Sequence, residues 1–461
     1  MQNMTLKNIA DCLQVTLYQA EGKEDREIAG AVLDSRKVEP GYAFFATRGE
    51  KVDGHSFIPQ VAEKGAALVI CEEAPEVKIP YILVEDTFQA LKQVAAFYRE
   101  QLTIPVVGIT GSVGKTSTKE MIAAALGTKY NVLKTQGNFN NEVGLPLTIL
   151  SIREEHEAAV VEMGISDFGE MHRLSRIAKP NICVITNIGQ CHLENLGDRD
   201  GVLKAKTEIF DFMAPDGYVV LNGDDDKLAS IKAVQGRKPY FFGLAQKESL
   251  EDGYESAKQV YATEIQNKGL FGSDFTMHLF EHTMQASVPL PGQHMVINAL
   301  AAACVGRILG METEDILRGI ASVKATGGRS NIIQSKDKVV IDDCYNANPV
   351  SMKSAIDLLM MAQGNKTVIL GDMFELGTDE LTLHREVGMY AAMAPLQGMI
   401  FIGKLAKEMY EGAMKLRATA EYYPAKEAFF VAHKPEDFAD TTVLVKASHG
   451  MHFEEIVEWL K

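Results

Sequence analysis

The chain has 461 residues, is 46% hydrophobic and 23% charged, and carries a formal net charge of −16. That balance describes an ordinary soluble globular chain of roughly two to four domains with ample core; its α/β class is expected from the alternation of strands and helices along it. The acidity disfavours non-specific binding to nucleic acid or to an anionic membrane, although a local basic pocket for phosphates stays compatible with it.

No apolar stretch approaches the ~18 residues of a membrane span, and the first seven residues lack a signal-peptide core. Six cysteines, at 12, 71, 183, 191, 304 and 344, make no C-x-x-C pair. They read as reduced core or near-site thiols of a cytoplasmic protein.

The first block, residues 1–84, is expected to open with a helix over 5–13. Short strands at 43–46 and 67–70 follow, around a polar loop at 47–55. A helix is predicted over 86–102, where Phe88, Leu91, Val94, Tyr98 and Leu102 recur at helical spacing behind Asp86 or Thr87 as cap. Its apolar face is expected to pack on the second block.

That second block spans residues 85–325. Strands at 158–163, 182–188 and 218–221 alternate with helices at 169–178 and 201–212, which predicts a mostly parallel sheet. Between 259 and 290 the period becomes two, as in a small antiparallel meander. A long helix then begins near His294 and passes through 299–304. The third block, 326–461, opens at a Gly327-Gly328 hinge. Strands at 338–341, 367–370, 398–402 and 442–445 give it a Rossmann-like rhythm, without the G-x-G-x-x-G fingerprint of a dinucleotide site.

The segment that carries most chemistry follows the helix predicted over 86–102. An apolar run, 106–110, feeds Gly111-Ser112-Val113-Gly114-Lys115-Thr116-Ser117 and then a helix-forming stretch to 126. Glycines let the loop curl its N–H groups towards phosphate oxygens, and the helix N-terminus adds partial positive charge. Lys115 can reach the outer phosphates and the Thr116 hydroxyl can bind magnesium. The loop departs from the common G-x-x-x-x-G-K-[ST] form, with Ile109 where a glycine usually stands.

Other candidates lie at strand ends. Glu162 suits a magnesium ligand and a solvated strand-end carboxylate equally well. His192 follows an apolar strand, where a functional histidine and a hydrogen-bonded loop histidine look alike. Lys206, read alone, is a surface lysine on a helix. Asn138 lies in a loop with three asparagines in four residues, which fits either a polar-substrate grip or a turn. Asp343 ends a strand, where an acid can hold a ribose hydroxyl, and Gly371-Asp372 repeats that pattern.

Taken together, Thr110-Gly111-Ser112-Val113-Gly114-Lys115-Thr116, Gly137-Asn138, Glu162-Met163-Gly164, Asn187-Ile188-Gly189-Gln190-Cys191-His192 and Gly292-Gln293-His294 with Asn298-Ala299-Leu300 resemble the Mur ligases. The modified phosphate loop is that family's own form. The resemblance covers essentially the whole chain. It implies three domains: a small UDP-binding domain, a central ATPase domain and a C-terminal Rossmann-like domain. The implied activity is ATP-dependent amide formation through an acyl phosphate, in cytoplasmic cell-wall precursor synthesis. The implied substrates are UDP-N-acetylmuramoyl-tripeptide and D-alanyl-D-alanine, and the implied state is a monomer.

By the same resemblance, Gly111, Ser112, Val113, Gly114, Lys115, Thr116 and Ser117 hold the phosphates of ATP. Asn298 meets adenine, Asp343 the ribose and Arg329 the phosphates. Thr116, Glu162, His192 and a carbamylated Lys206 hold magnesium, and Lys115, His192 and Lys206 carry the catalysis. Ser35, Arg36, Thr47, Arg48, Asp53, Gly54, His55 and Asn138 bind the UDP-precursor, and Asn346 and Asn348 lie on the D-alanyl-D-alanine side.

Met295, Ala447 and His449 depart from the family pattern. The sister ligase of the preceding step carries an Asp-Asn-Pro-Arg box that does not occur here. A folylpolyglutamate synthase would not need the N-terminal UDP-type block. A non-catalytic nucleotide-gated protein would tolerate loss of Glu162, His192 or Lys206, and all three are present.

Overall fold

Short apolar runs form three sheets in the computed structural model, which describes residues 1–49, 52–189, 191–244, 258–324, 331–374, 376, 379–416 and 419–461. The first sheet contains β1 (Leu17–Tyr18), β2 (Gly30–Val32), β3 (Tyr42–Phe45), β4 (Leu68–Cys71) and β5 (Tyr81–Leu83), in the order β1-β5-β4-β3-β2. Strands β2 to β5 are parallel and β1 runs antiparallel to β5.

The second sheet contains β6 (Val106–Thr110), β7 (Val132–Lys134), β8 (Ala158–Glu162), β9 (Ile182–Ile185), β10 (Tyr218–Asn222) and β11 (Tyr240–Leu244). It continues through β12 (Val260–Asn267), β13 (Ser273–Leu279) and β14 (His282–Val288). The order is β14-β13-β12-β11-β10-β9-β6-β8-β7, and pairing is parallel from β7 to β12. The period-two stretch thus supplies one edge of this sheet.

The third sheet contains β15 (Asn331–Gln334), β16 (Val339–Asp342), β17 (Asn365–Gly371), β18 (Gly398–Ile402), β19 (Ala420–Tyr423) and β20 (Thr441–Lys446), in the order β15-β16-β20-β17-β18-β19. Only β15 is antiparallel to its neighbour.

The chain divides into two compact units. One comprises Met1–Glu264, Phe275–Ala286 and Val296–Ser322, and the other Ile265–Asp274, Ser287–Met295 and Val323–Lys461. Within the first, one apolar core runs from Met4 and Ile9 through Phe45, Leu91 and Tyr98 to Val161 and Ile185. The helix Thr87–Glu100 lies at its centre, capped by Asp86, whose carboxylate accepts the N–H groups of Phe88 at 2.7 Å and Gln89 at 3.0 Å. Its Tyr98 hydroxyl donates to the Ile152 carbonyl at 2.8 Å, so it packs on the central layer as its apolar spacing predicts.

Arg99, on the same helix, is 6% exposed. Its guanidinium donates to the carbonyls of Ala178 (2.8 Å), Leu102 (2.9 Å) and Lys179 (3.1 Å) and to Asn181 Oδ1 (3.0 Å). Burial pushes it down to about 10. Asn181 Oδ1 also accepts the N–H of Val106 at 2.9 Å. One side chain thereby ties two helix ends to the start of β6, the strand that delivers the phosphate loop.

Element ends shift from their sequence-based positions. The helix expected from 117 begins at the loop lysine, as Lys115–Leu126, because Gly114 ends the loop. The segment 201–212 splits into Arg199–Thr207 and a 3-10 turn, Glu208–Phe210. The long helix is Gln293–Ile308. Strands β7, β15 and β19 were not foreseen because each is short and only partly buried, and β11, although its centre is buried, was also not foreseen. No helix among the described residues is long and apolar enough to cross a membrane. All six cysteines are free thiols.

Candidate active site

In the central sheet β6 pairs with β8 on one side and β9 on the other, with Ile109 opposite Glu162 and Thr110 opposite Ile185. The chain passes from β6 to β7 and β8 on one side and then crosses to β9 on the other, so the carboxyl ends of these three strands border a crevice of the kind that binds ligands in parallel sheets. The loop 111–114 rises from β6 at that point.

Gly111 approaches β9 so closely that a Cβ there would sit 1.9 Å from Thr186 Oγ1. Only glycine fits. The loop is held by the segment after β9. Asn187 Oδ1 accepts the Val113 N–H at 3.0 Å, Thr186 Oγ1 donates to the Val113 carbonyl at 2.7 Å, and Ser112 Oγ accepts the Gly189 N–H at 2.8 Å.

Lys115 folds over the loop, its Nζ donating to the Gly111 carbonyl at 2.8 Å. Thr116 Oγ1 donates to Glu162 Oε2 at 3.0 Å, which joins the loop to the end of β8. Glu162 is 2% exposed. Its backbone N–H donates to Thr135 Oγ1 at 2.9 Å, and its Oε1 accepts from Asn140 Nδ2 at 2.9 Å. Asn298 lies on the other flank, buried, and its Oδ1 accepts from Thr118 Oγ1 at 2.9 Å.

Lys206 is 1% exposed on the helix Arg199–Thr207. The helix-surface reading of this lysine is therefore overturned. Desolvation, then repulsion from Lys115, pushes it down to about 8 from its ordinary 10.5. Lys115 is itself lowered, chiefly by burial. His192 adopts a left-handed conformation, with φ 51°, a strained geometry for a non-glycine residue. Partial burial, Lys206 and Lys115 all lower its pKa.

Three nitrogen bases thus crowd one crevice of a chain whose net charge is −16. Such a local field suits a polyanion. A cavity of about 510 Å³ opens beside them, lined by Lys115, His192, Glu170, Asn140 and Gly164 among others.

Family models match most of the chain in three parts: "Mur ligase family, catalytic domain" over residues 27–108, "Mur ligase middle domain" over 109–306 and "Mur ligase, glutamate ligase domain" over 328–449. A UDP-N-acetylmuramoyl-tripeptide–D-alanyl-D-alanine ligase of Bacillus subtilis is 39% identical, covering 99% of this chain and 98% of its own. The chain belongs to the Mur ligase family.

A crystal structure of MurF from Acinetobacter baumannii superposes with a TM-score of 0.86 at 33% identity, covering 99% of this chain and 98% of that one. The MurF ligase of Thermotoga maritima in complex with ADP superposes at 0.72 with 28% identity, covering 94% and 96%.

In this Mur ligase five of the residues expected to hold the UDP-precursor, Thr47, Arg48, Asp53, Gly54 and His55, form one network at the ends of β3 and β4. Asp53 accepts the His55 N–H at 2.9 Å and bonds His55 Nδ1 at 2.7 Å. His55 Nε2 accepts the Glu72 N–H at 2.9 Å, and Gly54 N–H donates to the Thr47 carbonyl at 2.9 Å. Arg48 sits among Glu73, Glu72 and Asp53. Ser35 and Arg36 form a separate turn, capped by Asp34. Asn138 is exposed in the loop that carries Asn140.

The C-terminal unit holds the remaining candidates. Asp343 is buried, its Oδ2 2.6 Å from Lys446 Nζ. Lys446 Nζ also donates to the Asn346 carbonyl at 2.7 Å. The side chain of Asn348 is engaged as a helix cap, its Oδ1 accepting the Ser351 N–H at 2.8 Å. Arg329, Gln190 and the Gly327-Gly328 hinge lie outside the described residues.

Sequence reasoning passed over two groups. Asn140 was one of three similar asparagines, and only the register of its loop against β8 selects it. Glu142 was unmarked, yet it accepts from Lys92 at 3.2 Å and from Arg173 at 2.6 Å, so it anchors that loop.

Proposed function

We infer that this chain is an ATP-dependent, ADP-forming amide ligase that joins D-alanyl-D-alanine to UDP-N-acetylmuramoyl-tripeptide in peptidoglycan precursor synthesis. The observation that carries the inference is the end-to-end match to a relative bearing that activity in its name, at 39% identity. The phosphate loop, Glu162 and the buried Lys206 agree with it chemically.

A carboxylate is a poor acyl donor, because oxide is a poor leaving group. Transfer of the γ-phosphoryl group to the tripeptide's terminal carboxylate gives an acyl phosphate. The amine of D-alanyl-D-alanine then attacks, and the tetrahedral intermediate expels phosphate. Both partners of the first step are anions, so catalysis rests on neutralisation and positioning. Lys115 and the loop N–H groups of 111–117 are suited to hold the phosphates, and Asn298 to meet the base. Thr47, Arg48, Asp53, Gly54 and His55, with Asn138, are suited to hold the UDP-precursor.

Magnesium fits the donors present. No three His, Cys, Asp or Glu side chains converge on a metal position among the described residues. That absence suits an ion that takes one or two protein oxygens and leaves its other positions to phosphates and water. Thr116 and Glu162 would hold it, with His192 and Lys206 close by, and it would supply charge neutralisation at the phosphates. Lys206 is suited to carbamylation. That reaction needs a neutral amine, and burial beside Lys115 favours one. The carbamate would turn a cation into an anion beside Lys115.

Oxygen transfer tests the acyl phosphate. With the tripeptide's terminal carboxylate labelled with oxygen-18, the released phosphate is expected to carry one labelled oxygen per turnover. Unlabelled phosphate would contradict the reading.

A further inference from the structure

Glu162 is held at both oxygens by donors of different kinds. Thr116 Oγ1 donates to Oε2 at 3.0 Å, and Asn140 Nδ2 donates to Oε1 at 2.9 Å. A hydroxyl has lone pairs and can turn one towards an arriving cation. A carboxamide NH2 has none to offer and can only donate. As a cation approaches, Thr116 can therefore change partner, whereas Asn140 keeps its hold on Oε1.

Asn140 is also fixed in place. Its carbonyl accepts the Gly164 N–H at 2.8 Å. A Cβ at Gly164 would lie 2.9 Å from Asn140 Cγ, so the side chain packs flat against that glycine. The next residue, Asn141, accepts the Gly144 N–H at 2.9 Å at the start of the helix Gly144–Ile149. Glu142 is clamped by Lys92 at 3.2 Å and Arg173 at 2.6 Å. The loop is pinned at its contact with Glu162 and at the two residues that follow.

We propose that Asn140 makes Glu162 a one-oxygen ligand and thereby sets the preference of this site for a small octahedral cation over a larger one. Magnesium takes six ligands in near-ideal octahedral positions, and a single carboxylate oxygen serves it well. Calcium takes six to eight oxygens and accepts both oxygens of one carboxylate. With the Asn140 amide donating to Oε1, that oxygen keeps one lone-pair site and the carboxylate is held against turning both oxygens onto one ion, so the two-oxygen mode is disfavoured. The inference rests on the reading of Thr116 and Glu162 as the protein's cation ligands, and it makes Asn140 a positioning residue.

The test compares wild type, Asn140→Ala and Asn140→Leu by the Kd of a non-hydrolysable ATP analogue at saturating Mg2+, at saturating Ca2+ and with chelator. The alanine variant removes the donor, and Asn140→Leu removes it while keeping the side chain's bulk, without adding a cation ligand of its own as an aspartate would, so either serves if the other fails to fold. Both are expected to shift the ratio of the two Kd values about tenfold towards Ca2+, the lower end of the range for groups that orient metal ligands. A purely structural role would weaken binding with both cations alike and lower the melting temperature. An unchanged ratio in both variants would overturn the proposal while leaving the cation site standing. Analogue binding in wild type that responds to neither cation would overturn the cation site and this proposal together.

Discussion

Lys115→Ala is expected to lower ATP-dependent product formation by a factor on the order of 10³, the scale of losing a preorganised charge contact at a reacting phosphoryl group. Lys115 is the one ammonium placed on the loop itself, and its Nζ lies 2.8 Å from the Gly111 carbonyl. Burial lowers its pKa, so the charge is costly to keep there and gains most from an anionic partner. Removing it leaves the loop's shape intact, because Asn187, Thr186 and Ser112 hold the loop independently of Lys115. Thermal unfolding without nucleotide should therefore change little while turnover collapses. Steady-state ADP release, measured beside a melting curve, checks both halves. Activity within threefold of wild type would remove Lys115 from the reaction.

Lys206→Ala should abolish ligation to a similar degree, but with a distinctive repair. A short carboxylate such as acetate or formate can occupy the place of the carbamate and is expected to restore part of the rate, whereas an added primary amine should not. The pH dependence has a definite sign. Lys206 is pushed down to about 8 from 10.5 by burial and by Lys115, and carbon dioxide reacts only with the neutral amine. The neutral fraction rises as pH climbs through about 8. At fixed dissolved carbon dioxide, reactivation of carbon-dioxide-depleted wild type should be roughly tenfold or more faster at pH 8.5 than at pH 6.5. A rate independent of carbon dioxide, with no rescue by carboxylates, would leave Lys206 as a positioning amine.

Legibility in the sequence followed locality. The phosphate loop was readable because strand, glycine turn, lysine and helix are contiguous, and the structure places them so from Val106 to Leu126. Asp86 announced its helix because a cap acts within three residues. What escaped depended on distance along the chain. Asn140 meets Glu162 across 22 residues, and Glu142 meets Arg173 across 31. Nothing local separates Asn140 from Asn138 or Asn141.

Lys206 shows the opposite limit. Its helix periodicity suits the surface as well as the core. Only the packing of Arg199–Thr207 buries it, while Lys204, two residues away, stays exposed. Asn348 is placed on the D-alanyl-D-alanine side by the resemblance alone, and in the structure its side chain caps the helix that opens at Pro349.

The most direct measurement is product formation with ATP, magnesium and UDP-N-acetylmuramoyl-tripeptide, with and without D-alanyl-D-alanine, followed by ADP release and product mass. A ligase for the dipeptide releases ADP in quantity only when both substrates are present, and its product is heavier by one D-alanyl-D-alanine less water. ADP release that accompanies a free amino acid but not the dipeptide would contradict the assignment and place the chain with a sister enzyme of the family.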